Sequence, residues 1–225
     1  MIEHMVVLAN SRKAGGCCIA GRALDANARP GRWLRPVGRD AADGLPPQRT
    51  RCADGNTARV LDLIEIDLAA AVPRAHQQEN RLLGDTPWAR CGRVDWNGLA
   101  ALADAKSAGL WVDGFSSRCG NNDQVPDTLL GHITESLRLI RTDHLHLCNT
   151  TNAFGRRQLR GTFSHAGRDY TLAVTDPVAW AALAGIDQLT LPDVYLCISL
   201  ALPFNGYAYK LVASVITEHR VRTPA

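Results

Sequence analysis

The sequence predicts a mainly β protein with a few short helices, arranged as two small barrels in tandem. About ten segments carry strand patterns, and they extend from the first residues to the last. Two or three short helical patterns lie between them, so the strands are not interleaved with regular helices as in a parallel α/β sheet. The length of 225 residues suits two domains of roughly 100–120 residues each.

The first half predicts a β-hairpin and two further strands. Residues 5–9 (MVVLA) form a short apolar run, and residues 17–21 return after a turn with two glycines. Residues 33–37 (WLRPV) predict a short strand, and residues 60–68 alternate apolar with acidic side chains. The alternation at 60–68 indicates a strand with one solvent-exposed face. The range 41–56 is rich in Asp, Gly, Pro and Arg and predicts a long polar loop.

The second half predicts further strands and one clearly marked helix. Asp176 followed by Pro177 is typical of a helix start, and Gly185 is typical of its end. Gly167 marks the turn of a hairpin. The predicted strands cover residues 110–112, 136–140, 144–148, 158–163, 170–174, 194–202 and 207–216.

Two further properties of the sequence restrict where the protein works. No apolar run approaches the ~20 residues that span a bilayer, and the N-terminus lacks the pattern of a signal peptide. We therefore expect a cytoplasmic protein without membrane contact. The seven cysteines are scattered and include no C-x-x-C pair, which favours free thiols over disulfides. The sequence predicts no cofactor.

The distribution of charge is more informative than the net charge of +3. Residues 1–60 carry ten basic and five acidic side chains, residues 61–135 six and eleven, and residues 136–225 nine and six. Of the 25 basic residues, 22 are arginine, whose planar fork suits phosphate and base edges. A general preference for arginine codons would give the same count. The acidic middle region could instead dock a basic protein partner.

The first candidate binding segment is residues 10–16 (NSRKAGG). Arg12 and Lys13 are adjacent cations, and Gly15 and Gly16 let a backbone approach an anion closely and point N–H groups at it. The segment lacks the G-x-x-x-x-G-K-[ST] pattern of a P-loop. The alternative is a solvated hairpin loop whose glycines serve only the turn.

The second candidate segment centres on Trp33. An aromatic ring next to arginines can stack on a base while the guanidinium groups neutralise phosphates. If Leu34 faces the core, alternation places Trp33 and Arg35 together on the surface. The alternative is a tryptophan buried in the barrel.

The third candidate segment lies just before a predicted hairpin strand. Phe154 is followed there by Arg156, Arg157 and Arg160. A weaker fourth element is the pair Tyr209 and Lys210. Three arginine clusters favour a polyanionic ligand, with Trp33, Phe154 and Tyr209 as stacking candidates. Stacking needs an exposed ring face, so single strands or splayed bases are favoured over duplex.

Other residues of the sequence allow enzymatic alternatives. Glu65 and Asp67 share a strand face and, with Glu79, could hold Mg²⁺ for a nuclease or base-processing reaction. The amide-rich residues 76–80 (HQQEN) could line a pocket that reads a base.

Two other arrangements have some of the residues that catalysis or metal binding needs. His144, His146 and Cys148 could share a face as zinc ligands, but no second cluster has matching spacing. Cys17 and Cys18 follow two cations but have no nearby histidine in sequence. We therefore predict no catalytic residue and no metal site, and favour binding over catalysis.

Several of these stretches together resemble the dual OB-containing domain family of bacteria. They are residues 6–21, 33–37, 61–68, 77–80, 136–140, 174–177 and 209–216. The resemblance implies two OB-like β-barrels in tandem and nucleic-acid binding in a bacterial conflict system. It brings no catalytic residues. With the polar loop at 116–126 as the junction, we expect domains at 1–125 and 126–225.

Overall fold

The computed structural model describes residues 1–13, 16–39, 44–151 and 155–222, without the side chain of Lys13. The strands are β1 (Ile2–Lys13), β2 (Gly16–Leu24), β3 (Pro30–Val37), β4 (Asp62–Ala71), β5 (Asn80–Leu83), β6 (Ala89–Arg93), β7 (Gln124–Pro126), β8 (Leu137–Thr151), β9 (Arg157–His165), β10 (Arg168–Val174), β11 (Gln188–Leu200) and β12 (Tyr207–Ile216). The short helices are α1 (Leu99–Leu102), α2 (Pro177–Ala182) and α3 (Glu218–Arg222), with 3-10 turns at Pro47–Thr50 and Asp127–His132.

The chain forms two compact units, Met1–Leu102 and Ala103–Ala225. The division lies earlier in the chain than the expected 125/126 junction. Leu110 is part of the core of the second unit, and Asn121 pairs with Thr171 of β10. Strand β7 pairs with β12. The segment expected as a linker therefore packs into the second unit.

In the first unit, five strands close into a barrel with the order β1-β2-β3-β5-β4 and back to β1. All pairs are antiparallel except β3 with β5. Strand β6 is added outside the ring, next to β4. The interior contains apolar residues from all five strands, among them Met5, Ile19, Leu34, Ile64 and Leu83.

The second unit repeats this order, as β8-β9-β10-β12-β11 and back to β8. Counted along the chain, the third and fifth strands of the ring, β10 and β12, are again the parallel pair. Helix α2 lies between β10 and β11, the third and fourth strands in chain order. A five-stranded barrel with this order is an OB-like barrel. The expected mainly β fold of two tandem OB-like barrels is confirmed.

Several local predictions also hold. The hairpin β1–β2 forms as expected, and the turn between β9 and β10 has Gly167 in the left-handed region (φ 74°). The strands expected at 136–140 and 144–148 are one long strand, β8. The strand expected at 110–112 is wrong, because Trp111 takes a left-handed conformation (φ 62°) that a strand excludes. None of the described helices is long and apolar enough to cross a bilayer.

Asp176 connects three elements of the second unit. Its side chain is fully buried and caps α2 by accepting a hydrogen bond from the Val178 N–H at 2.9 Å. It also accepts one from the Val215 N–H of β12 at 2.8 Å and pairs with Arg220 of α3 at 2.6 Å. The Asp-Pro helix start in the sequence thus supplies an anchor for the last strand and the last helix as well.

We expect Asp176→Ala to lower the free energy of unfolding of the second unit by about 3 kcal/mol or more. The substitution removes a helix cap, leaves the buried Val215 N–H without its acceptor and leaves the Arg220 guanidinium without its counter-charge. Glu218→Ala is the matched control, since Glu218 pairs with Arg222 of the same helix at the surface. It should cost less than about 1 kcal/mol. Urea denaturation monitored by circular dichroism measures both, and equal effects would contradict the anchoring role.

Candidate nucleic-acid interface

Two of the predicted basic clusters lie on equivalent loops of the two barrels. The first surrounds the β1–β2 turn, and the second lies between β8 and β9, which are the first two strands of the second ring. OB-like barrels bind oligonucleotides with the face of their second and third strands, together with the loops after the first and fourth strands. The equivalence of the two loops is not visible in the sequence, because their residues differ.

In the first unit, the β1–β2 hairpin presents Arg12 to solvent. Arg12 makes no ion pair with any residue that the structure describes. Lys13 pairs with Gly16 at the end of the ladder, while Gly15 and the side chain of Lys13 lie outside the described residues. Gly16 has a packing role: a Cβ atom there would lie 2.1 Å from the Leu45 carbonyl oxygen. That close approach is the reason for glycine at this position.

In the second unit, Arg156 and Arg157 are exposed at the start of β9, and Phe154 lies outside the described residues. Arg157 donates a hydrogen bond to the Asn149 side chain at 3.3 Å, across the ladder to β8. Arg160 differs from both. Its side chain is 12% exposed, and its guanidinium lies 3.5 Å from the Asp123 carboxylate. The expected phosphate contact through Arg160 is thus replaced by an internal ion pair.

The surface position expected for Trp33 and Arg35 is wrong. Trp33 is 1% exposed and Arg35 is 3% exposed, because every residue of β3 from Trp33 to Val37 is buried. The Arg22 guanidinium lies 4.6 Å from the Trp33 ring centroid. Arg35 pairs with the equally buried Glu79 at 3.1 Å. The two side chains therefore belong to the interior of the protein, and Trp33 presents no open ring face to a base.

Lys210 is also not on the surface. Its ammonium group is fully buried and donates a hydrogen bond to Asp113 at 2.8 Å, with the Tyr170 ring centroid 5.2 Å away. Tyr170 donates its hydroxyl proton to the same carboxylate at 3.0 Å. Burial lowers the pKa of Lys210 and raises the pKa of Tyr170 above its ordinary value. Lys210, expected to contact phosphate, is instead part of a buried polar cluster with Asp113 and Tyr170.

Tyr209 is half-buried, and its hydroxyl accepts a hydrogen bond from Gln124 at 3.1 Å. It therefore keeps part of its ring accessible while its polar end is held by β7. This arrangement leaves its expected stacking role as a prediction.

One aromatic residue was missed by the sequence interpretation. Phe204 lies in the loop between β11 and β12, after the fourth strand of the second ring, and is 67% exposed. Asn205 and Gly206 follow it with φ values of 51° and 82°, the left-handed values of a tight hairpin turn. The Asn-Gly pair agrees with the connection that the sequence predicts between the strands at 194–202 and 207–216. This turn presents an aromatic ring to solvent in one of the loops by which OB-like barrels bind.

The corresponding loop of the first unit, between β4 and β5, contains residues 76–79, and Asn80 is the first residue of β5. Arg74 and Gln78 are exposed, whereas His76, Gln77, Glu79 and Asn80 are buried. Most of the amide-rich stretch is thus buried, and Glu79 within it pairs with Arg35. Its expected role in reading a base stays a prediction.

The carboxylates of the nuclease alternative do not meet. Glu65 and Asp67 share the exposed face of β4 as expected. Glu65, however, pairs with His4 at 3.2 Å, Asp67 accepts a hydrogen bond from Thr86 at 3.1 Å, and Glu79 pairs with Arg35. Asp62 lies between Arg90 and Arg93, each at 3.0 Å. Each carboxylate has a partner of its own, so the described residues form no shared Mg²⁺ set.

The other catalytic alternatives have similar outcomes. His146 bonds to Thr190 at 3.0 Å, and His144, His146 and Cys148 are not among the described residues whose ligand atoms converge. Burial raises the pKa of the Cys17 thiol, which disfavours the thiolate that a nucleophile requires.

Comparisons with known proteins add one strong match. The family model described as "Dual OB-containing domain" matches residues 3–215, nearly the whole chain. A solved structure titled "Crystal structure of the tetrameric p202 HIN2" aligns with 96% of this chain and 92% of that chain, at 8% identity and a TM-score of 0.32. A search of curated proteins returned no match. The match to the family model, which covers nearly the whole chain, is the basis for assigning the family.

We expect Asp113→Ala to lower the free energy of unfolding by roughly 3–5 kcal/mol, because it leaves the buried Lys210 ammonium without its counter-charge. Arg168→Ala is the control, since Arg168 is 61% exposed and pairs with the same carboxylate at 3.3 Å. The control should cost less than about 1 kcal/mol. Chemical denaturation of the two variants tests the difference, and a small loss in Asp113→Ala would show that Lys210 finds another partner.

Proposed function

Because this chain belongs to the dual OB-containing domain family, we propose that it binds single-stranded nucleic acid or splayed bases and carries out no reaction of its own. The observation that carries the proposal is the position of its basic clusters. Two basic segments, residues 10–16 and 154–160, lie at or beside the connection after the first strand in each of two barrels. That loop is one of the recurring oligonucleotide contacts of OB-like barrels.

Three of the arginines at these loops are open to solvent. Arg12, Arg156 and Arg157 are exposed. By contrast, Arg35, Arg90, Arg93 and Arg160 each lie against a carboxylate of their own unit. An exposed guanidinium can neutralise a phosphate without first breaking a buried ion pair. We therefore assign the phosphate contacts to Arg12, Arg156 and Arg157, together with Lys13.

The preference for unpaired bases rests on Phe204. Its ring is the most exposed of the large aromatic side chains that the structure describes, and it lies at a loop that contacts ligands in OB-like barrels. Stacking on an aromatic ring requires a base whose face is open, and this condition is met in single strands and not inside a duplex. Because Trp33 is buried, Phe204 replaces it as a stacking candidate.

The acidic middle region supports a protein partner less well. Three of its eleven acidic side chains, Asp62, Asp113 and Asp123, pair with basic residues of the same unit. These three charges are therefore compensated internally and add little to a docking surface for a basic partner. Nucleic acid is therefore the partner that we propose.

Removing the exposed arginines should weaken binding and reduce its dependence on salt. We expect the triple variant Arg12→Ala, Arg156→Ala, Arg157→Ala to bind labelled single-stranded DNA or RNA with a shallower slope of log affinity against log salt. Each lost phosphate contact reduces the slope by about 0.7. Fluorescence anisotropy across a salt series measures both affinity and slope.

The control for this experiment is Arg222→Ala, which removes one exposed arginine in α3, outside the two basic segments. It should leave the slope unchanged. Absence of binding by the unmodified protein at low salt, for both DNA and RNA, would exclude the proposed function. An equal effect of Arg222→Ala would show a diffuse charge attraction in place of a defined site.

The stacking contact has its own test. We expect Phe204→Ala to weaken binding of single strands by about 1–3 kcal/mol while the salt slope stays the same, because the ring contributes no charge. Phe115→Ala is the matched control, a 37% exposed phenylalanine of the same unit outside the β11–β12 loop. Comparable losses in both variants, or no loss in Phe204→Ala, would reject Phe204 as a base contact.

A further inference from the structure

Three potential metal ligands converge on one face of the first unit. His4 of β1, Glu65 of β4 and Cys91 of β6 are exposed, and their ligand atoms all lie within 4.8 Å of one another. The described residues contain no other group of three or more His, Cys, Asp or Glu side chains that meets this distance. The cluster is separate from the basic loops, and neither composition nor spacing in the sequence indicates it.

The strand pairing brings these residues together. In the sheet order, β4 lies between β1 and β6, and His4 is directly opposite Glu65 in the β1–β4 ladder. The His4 imidazole Nε2 lies 3.2 Å from a Glu65 carboxylate oxygen. Two of the three ligands are therefore in contact, and both are attached to the backbone of a closed barrel.

Cys91 has an unusual place in its strand. In the β4–β6 ladder, Ile64 pairs with Arg90 and Leu63 pairs with Gly92, so Cys91 is an extra residue in a β-bulge. A bulge bends a strand and redirects a side chain, and bulges occur frequently beside functional sites. The two arginines of β6, Arg90 and Arg93, form ion pairs with Asp62. The positive charges nearest to Cys91 along its strand are thus already compensated.

We propose that His4, Glu65 and Cys91 bind a Zn²⁺ ion, with the fourth coordination position open to solvent. Imidazole nitrogen, thiolate sulfur and carboxylate oxygen are the three ligand types that zinc takes from proteins. Bond lengths of about 2.0–2.3 Å place tetrahedral ligand atoms within about 4 Å of each other. The three side chains are exposed, and the charges of a thiolate and a carboxylate balance that of the ion.

The experiment is a titration of the purified full chain, freed of metal by a chelator, with Zn²⁺ by calorimetry and with Co²⁺ by absorption spectroscopy. We expect one equivalent of metal that depends on Cys91, and a thiolate-to-cobalt charge-transfer band that disappears in Cys91→Ser. His4→Ala and Glu65→Gln should each weaken Zn²⁺ binding at least about tenfold, because even the loss of a hydrogen bond to a metal ligand costs about 10- to 100-fold.

The matched control is Cys119→Ser, which removes an exposed thiol of the second unit. It should leave the stoichiometry, the affinity and the charge-transfer band unchanged. Alkylation of Cys91, followed by peptide mass spectrometry, gives a second measurement, and Zn²⁺ should protect this cysteine and not Cys119. A band that persists in Cys91→Ser, or equal Zn²⁺ affinity in all variants, would overturn the proposal. Circular dichroism of each variant shows whether a loss reflects the site or the fold.

Discussion

Each barrel depends on pairing between strands that are far apart in the sequence. In the first unit, β1 pairs with β4 through residues 2–6 and 63–67, and β3 pairs in parallel with β5 through residues 35–37 and 80–82. Parallel neighbours cannot be joined by a tight turn, so the chain forms β4 on the other side of the ring before it returns to β3 as β5. The second unit obeys the same constraint through β8 with β11 and β10 with β12.

Much of this architecture was predictable from local patterns. The alternation at 60–68 identified β4 and its exposed face, and Gly167 and the Asp-Pro pair at 176–177 identified a hairpin and a helix start. These signals depend on neighbours within a few residues, which is why they survive in a single sequence. The division between the units was not predictable in the same way. Residues 103–125 contain little regular structure, and their place depends on packing against distant strands.

The candidate site shows the limit of alternation more sharply. In a strand with one solvent-exposed face, alternating apolar and polar residues show which face is buried. Trp33–Val37 is buried on both faces, so the sequence of β3 does not show how the strand is oriented. The partner of Arg35 is Glu79, and the partner of Lys210 is Asp113, 97 residues away. Composition could place arginines and lysine in clusters, but only the fold separates the exposed cations from those that are neutralised internally.

The bulge in β6 has a second consequence, for the behaviour of the protein at high concentration. A closed ring of strands has no free edge, so the strands added outside the rings, β6 and β7, are the places where another chain could extend a sheet. Strand β6 is interrupted by the extra residue Cys91 and has arginines on both sides of it. Strand β7 has three residues and ends at Pro126, which has no N–H to donate. Short, bent or charged edges are poor templates for intermolecular pairing. Among the strands that the structure describes, the two edges outside the rings are thus short, bent or charged, and this disfavours aggregation through sheet extension.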